Sequence, residues 1–151
     1  MEWENGRSNP HDSLLLDRQL CFPLYACARE LVKRYKPFLD EIGLTYTQYI
    51  TMMVLWETPE TSSRWIGERL LLDSGTLTPV LRRLEEKGLL LRERDRLDGR
   101  NLRVTLTEAG LALRERAVSI PPRIGACIRL EPTEALQLYT LLHRLLDTMR
   151  R

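Results

Sequence analysis

The sequence predicts a mainly α-helical chain with a small β-hairpin wing, and three observations predict it. Apolar residues recur at helical spacing along most of the 151 residues. The pattern changes once, just after Gly88, to two short extended runs, "LLLRERD" and "NLRVTLT". Between those runs lies "RLDGR", whose Asp-Gly pair signals a hairpin turn.

Asp12 or Ser13 caps a first helical stretch that carries Leu14, Leu15, Leu16 and Leu20. Pro23 has no backbone N–H, so it is expected to kink or restart that helix just after Cys21, which puts a thiol at a joint. Beyond it Leu24, Ala28, Leu31, Tyr35 and Phe38 keep helical spacing, and Pro37 with Gly43 is expected to close the segment near Ile42. Thr45 or Thr47 opens a second apolar helix, "QYITMMVLWE", which stops before Pro59, and a third begins near Ser63 with Trp65, Ile66, Leu70 and Leu71. In "LDSGTLTPVLRRLEEKGLL", Asp73 and Ser74 cap, Leu77, Val80, Leu81 and Leu84 form one stripe, and Gly88 stops the helix. After the hairpin, "LTEAGLALRERAV" resumes a helix with Thr107 as its cap, and "SIPPRIG" is expected to break it. Residues 131–151 form a last amphipathic helix, entered through Pro132 and striped by Leu136, Tyr139, Leu142 and Leu146.

Four helices, a hairpin and two further helices describe a winged helix–turn–helix, with residues 47–106 as the winged unit of a single chain spanning 1–151. The flanking segments, 13–44 and 107–151, are long apolar helices with no sheet to pack on. Their expected burial is against the same helices of a second copy, as an isologous homodimer. The first residues, "MEWENGRSNPHD", are polar, and no apolar run approaches the roughly 20 residues that cross a bilayer, so a cytoplasmic protein with no membrane partner is expected. Cys21, Cys27 and Cys127 form no Cys-x-x-Cys pair, and His11 and His143 lie at no ligand spacing from them. Reduced thiols, with no metal and no other cofactor, are the expectation.

A formal charge of +2 is too mild to announce a nucleic-acid binder, but its distribution is uneven. Positions 82, 83, 87, 92, 94, 96, 100 and 103 are Lys or Arg, against acids at 85, 86, 93, 95 and 98, so eight cations face five anions in one short stretch. The preceding helix begins with Ser74, Gly75, Thr76 and Thr78, small polar residues that let a backbone approach base edges in a major groove. Pro79, Arg82 and Arg83 share its outward face, with the arginines placed for phosphates or guanine. In the hairpin turn Asp98 can orient Arg100 toward the adjacent minor groove. Double-stranded operator DNA is the expected partner.

"ERLLLDSGTLTPVLRRLEEKGLL", "DGR" with Val104 four residues after Arg100, and "LTEAG" resemble the central pattern of the MarR superfamily of dimeric winged-helix regulators. The N-terminal block, "LDRQLCFPLYACARELVKRYKPFLDEIGLTYTQYITMMVLWE", is similar to its organic-hydroperoxide-sensing repressors, the OhrR type. The resemblance implies a repressor that binds its operator when reduced and is released when an organic hydroperoxide oxidises Cys21. It puts Cys21 on the peroxide-reactive cysteine and Tyr25, Tyr35 and Tyr46 on the tyrosines associated with it; Pro23 is a departure from the pattern. The chemistry agrees, since phenol donors stabilise a thiolate, the nucleophile toward an O–O bond. Tyr25 lies one helical turn from Cys21. Tyr35 lies fourteen residues on, roughly 21 Å along an ideal helix, so it cannot touch Cys21 in its own chain, whereas an antiparallel partner helix could bring it there.

In the two-cysteine branch of that family a C-terminal cysteine in the region of Cys127 resolves the sulfenic acid across the dimer; the alternative is capture by a small-molecule thiol, with Cys127 buried. Cys27, about 240° around the helix from Cys21, reads as a core residue. Trp3, Trp56 and Trp65 read as packing or tail residues. Two other functions compete: a MarR regulator released by a small phenolic or aromatic ligand, lined by the same tyrosines and Trp56, and a thiol peroxidase. An enzyme has no use for the capped reading helix and the basic wing, so no enzymatic activity is expected.

Overall fold

A computed structural model describes residues 10–94 and 102–150. These fall into two compact units, one ending at Ala117 and the other beginning at Val118.

In the first unit two short 3-10 turns, Pro10–Leu14 and Leu16–Arg18, precede helix α1 at Cys21–Asp40. The expected α-helix over Leu14–Leu20 is therefore replaced by tighter turns, and Cys21 is the first residue of a new helix. The cause is Pro23, which falls in the first turn of α1, where a missing N–H leaves no intrahelical bond unmade. Pro37 lies inside α1 rather than ending it, and the chain turns at Gly43, whose φ is +68°.

Thr45 caps α2 (Tyr46–Glu57) by a reciprocal capping box with Gln48. Ser62 caps α3 (Ser63–Leu70) and Asp73 caps α4 (Ser74–Glu86), with Leu71 in the left-handed region between them. Leu77, Leu81 and Leu84 of the α4 stripe are buried, with Leu39, Met52, Leu55, Ile66, Leu90 and Val104 around the same core.

The wing contains a strand the pattern did not reveal. β1 (Glu60–Ser62), β2 (Leu90–Arg94) and β3 (Leu102–Leu106) form an antiparallel sheet in the order β1-β3-β2, so the hairpin is extended by three residues from the turn before α3. Thr61 pairs with Val104 on one side of β3, and Arg92 pairs with Val104 on the other. A salt bridge of 2.7 Å between Arg103 Nη1 and Glu60 Oε1 joins β3 to the added strand.

Helix α5 (Glu108–Ala117) starts where Thr107 Oγ1 accepts the Gly110 N–H at 3.0 Å. Gly110 meets the backbone just before β2 so closely that an added Cβ would lie 2.0 Å from the Leu89 carbonyl oxygen. Its own carbonyl accepts the Trp56 indole N–H at 2.9 Å, which makes Trp56 a packing post between α2 and α5.

Helix α5 ends at Ala117, so "SIPPRIG" breaks it as expected, but in the second unit the stretch is itself helical. It forms a short helix, α6 (Ile120–Gly125), because its two prolines sit at the first helical positions. Helix α7 (Pro132–Met149) follows, with a capping box from Glu131 and Glu134 and no buried residue. Leu136, Tyr139, Leu142 and Leu146 all face solvent in the single chain. No helix among the described residues is long and apolar enough to cross a membrane.

Candidate functional site: a reading helix and a thiol

The first turn of α4 is ordered by its cap. The Asp73 carboxylate accepts from the Thr76 N–H and from the Thr76 hydroxyl, both at 2.8 Å, and these bonds hold its carboxyl below the ordinary carboxylate value. The Thr78 hydroxyl donates to the Ser74 carbonyl at 2.7 Å. Both threonine protons are thus spent inward, and the hydroxyl oxygens keep their outward lone pairs as acceptors. Ser74, Gly75, Thr76, Thr78 and Pro79 are exposed together on this turn.

Two arginines stand behind them with different commitments. Arg82 Nε pairs with Glu86 Oε1 at 2.9 Å, one turn along the helix. Arg83 is exposed and has no ion-pair partner among the described residues, which leaves its whole guanidinium for an anion. Asp98 and Arg100 lie outside the described residues.

The helix is joined to the wing by a contact that sequence reading did not single out. The Glu85 carboxylate accepts from the Arg92 backbone N–H at 2.9 Å and from Arg92 Nε and Nη2 at 2.9 and 2.5 Å. This fork fixes β2 against the last turn of α4. The guanidinium holds the Glu85 carboxyl below its ordinary value of 4.5. A lowered folded pKa means the stabilisation is full above 4.5 and is lost as pH falls through the folded value. Glu85→Gln should therefore lower stability at neutral pH and flatten the acid limb; urea unfolding at pH steps from about 7 to 3 checks this.

Cys21 is exposed at the first position of α1, the end where unsatisfied N–H groups favour negative charge. Tyr25 follows one turn later and is 61% exposed, so its ring has no packed environment in the single chain. Tyr35 and Tyr46 are brought together from α1 and α2, with ring centroids 4.9 Å apart in an edge-on arrangement. Tyr49 extends the cluster, 5.9 Å from Tyr35 and 6.2 Å from Trp56. It was missed in the sequence although it sits three residues from Tyr46 on the same helix. Burial pushes the hydroxyls of Tyr35, Tyr46 and Tyr49 above the ordinary phenol value, and neighbouring phenols add to this at Tyr35 and Tyr49. They are protonated donors at neutral pH.

The thiol and the phenol pair are at opposite ends of α1, as the helical rise requires. Cys27, expected in the core, is exposed instead. Cys127, one of two alternatives for which was a buried thiol, is also exposed; it lies just past α6, with Sγ bonded to the Arg123 carbonyl at 3.4 Å. Among the described residues no group of three or more His, Cys, Asp or Glu is placed to hold a metal ion.

Comparison with known proteins gives a consistent set of relatives. The family model "Transcriptional regulator SarA/Rot" matches residues 33–116. The organic hydroperoxide resistance transcriptional regulator of Bacillus subtilis (strain 168) is 43% identical over 143 residues, covering 95% of this chain and 97% of that protein. Among solved structures, reduced AbfR bound to DNA superposes with a TM-score of 0.78 at 35% identity, covering 92% of this chain and 95% of that one. The disulfide form of AbfR superposes less well, at a TM-score of 0.60 and 34% identity, over 93% of each chain.

Proposed function

Because the chain belongs to the MarR/SarA family of winged helix–turn–helix transcriptional regulators, we propose that it is a homodimeric repressor that binds operator DNA when reduced and lets go when an organic hydroperoxide oxidises Cys21. The observation that carries this reading is the pairing of Tyr35 and Tyr46 as protonated phenols, separated along α1 from an exposed Cys21. An antiparallel partner α1 closes that gap and places two donors at the sulfur. The exposed apolar faces of α1 and α7 supply the surface such a partner would cover.

The chemistry balances without a cofactor. The Cys21 thiolate attacks the terminal peroxide oxygen; the S–O bond forms as the O–O bond breaks, sulfur becomes a sulfenic acid that keeps the hydroperoxide proton, and the alkoxide leaves as the alcohol with the proton the thiol had given to solvent. The thiolate of Cys127 of the partner subunit then attacks that sulfur, forming a disulfide as the S–O bond breaks, and the hydroxide leaves as water with a proton from solvent. A small-molecule thiol is the competing resolving group. Leu20, Phe22 and Leu24 beside Cys21 favour a peroxide with an apolar tail.

On DNA, the first turn of α4 enters the major groove. Thr76 and Thr78 present acceptors to base amino groups, and Arg83 takes a phosphate. Arg83→Ala should weaken binding about tenfold across unrelated sequences and reduce the salt slope by about one per chain. Titration of the reduced protein against a duplex selected from a random pool, between about 50 and 200 mM salt, tests this. An unchanged slope would remove Arg83 from the interface, and no saturable binding at low salt would end the repressor reading.

A further inference from the structure

The turn between α1 and α2 is gripped from the DNA-reading side. Lys87, the residue that ends α4, sends its ammonium across to the Gly43 carbonyl and to Gln48 Oε1, the latter at 3.2 Å. Gln48 is a buried polar residue, and the same Oε1 also accepts the Thr45 N–H at 3.1 Å to complete the cap of α2. The next residue, Tyr46, is the one that meets Tyr35. A short bonded path therefore runs from the phenol pair through Thr45 and Gln48 to the C-terminal end of the reading helix. Two residues before Lys87, Glu85 holds the wing, so whatever moves the end of α4 moves β2 with it. From α5, Arg116 Nη2 reaches the Glu41 carbonyl of the same turn.

We propose that Lys87 is a positioning residue that couples the α1–α2 turn to the reading helix, so that a disturbance of the Tyr35–Tyr46 pair on oxidation of Cys21 changes the placement of α4. The proposal rests on the sensing role given to Cys21 above. It also distinguishes Lys87 from Arg83: the Lys87 ammonium is committed inward to two oxygens, whereas Arg83 is open to an anion.

The test compares full-length wild type, Lys87→Met and Lys87→Arg for binding a selected duplex, reduced and after stoichiometric cumene hydroperoxide, with Cys21 oxidation followed by mass in the same samples. Lys87→Met keeps the aliphatic stem and loses the donors. It should bind in the reduced state within about twofold of wild type and oxidise at the same rate, while its loss of affinity on oxidation shrinks by about tenfold relative to wild type. Lys87→Arg, which can still reach both oxygens, should recover most of that loss. Equal weakening of the reduced and oxidised states would make Lys87 a phosphate contact and overturn the proposal, as would full release of Lys87→Met. If wild type itself is not released, the sensing reading fails and the coupling falls with it.

Discussion

Cys21→Ser is expected to bind operator DNA as wild type does and to stay bound when an organic hydroperoxide is added. A shift from ten-to-one bound to one-to-ten is a hundredfold change in affinity, about 2.7 kcal/mol, and a single new bond at the dimer interface can supply it. Serine is close in size to cysteine and keeps the first turn of α1 intact, but its hydroxyl does not form an anion that attacks an O–O bond near neutral pH. The response should therefore fall from about a hundredfold to less than about twofold, read by anisotropy of a labelled duplex before and after peroxide. Cys127→Ser separates the two resolving routes: a lost disulfide band with retained release assigns resolution to a small-molecule thiol. A Cys21→Ser protein that is released normally would point to the competing MarR reading, in which a phenolic ligand fills the space beside Tyr35, Tyr46 and Trp56.

Gly110→Ala should be the most damaging single methyl in the first unit. A Cβ there would lie 2.0 Å from the Leu89 oxygen, 2.7 Å from Leu106 Cδ1 and 3.0 Å from the Leu89 carbonyl carbon. Leu106 can rotate, but the Leu89 backbone is fixed because its oxygen accepts the Thr107 N–H at 3.1 Å. The start of α5 must then move off the sheet, and with it the carbonyl that holds Trp56. Overpacking of this kind costs about 3 kcal/mol, which for a chain of this size lowers Tm by roughly 10 °C. Gly125→Ala is the matching control, since nothing lies within 4 Å of its would-be Cβ and alanine is the better helix former. Thermal melts of the two variants should diverge; similar melts would mean that α5 does not seat on the Leu89 backbone at Gly110.

The reading helix was legible because every local signal agrees. Asp73 caps, the Leu77, Leu81 and Leu84 stripe is buried, and Gly88 ends the segment. The cap of α5 at Thr107 was legible for the same reason, and of the two threonines the sequence offers for α2, Thr45 and Thr47, it is Thr45 that caps. β1 was not, because three residues are too short for a period and what makes Glu60–Ser62 a strand is pairing with β3 some forty residues away. "SIPPRIG" was legible as the end of α5 but not as a helix of its own, because proline is read as a breaker, whereas at the first positions of a helix its missing N–H removes nothing. At the thiol the residue types were readable and their distances were not: the sequence placed Tyr35 and Tyr46 near one function, but only folding shows that the α1–α2 turn brings their rings to 4.9 Å. Lys87 gave no signal at all, since nothing in its residue type or spacing shows that from the end of α4 it turns inward to Gly43 and Gln48.

In the proposed mechanism the oxidation state of one sulfur sets DNA affinity. The most direct measurement adds substoichiometric steps of cumene hydroperoxide to the reduced protein on a labelled selected duplex, and reads released DNA and the mass of the Cys21 peptide from the same aliquots. Release should rise in step with the fraction of Cys21 carrying sulfenic acid or disulfide, and dithiothreitol should reverse both. DNA that stays bound with Cys21 fully oxidised, or leaves with Cys21 unmodified, would contradict it.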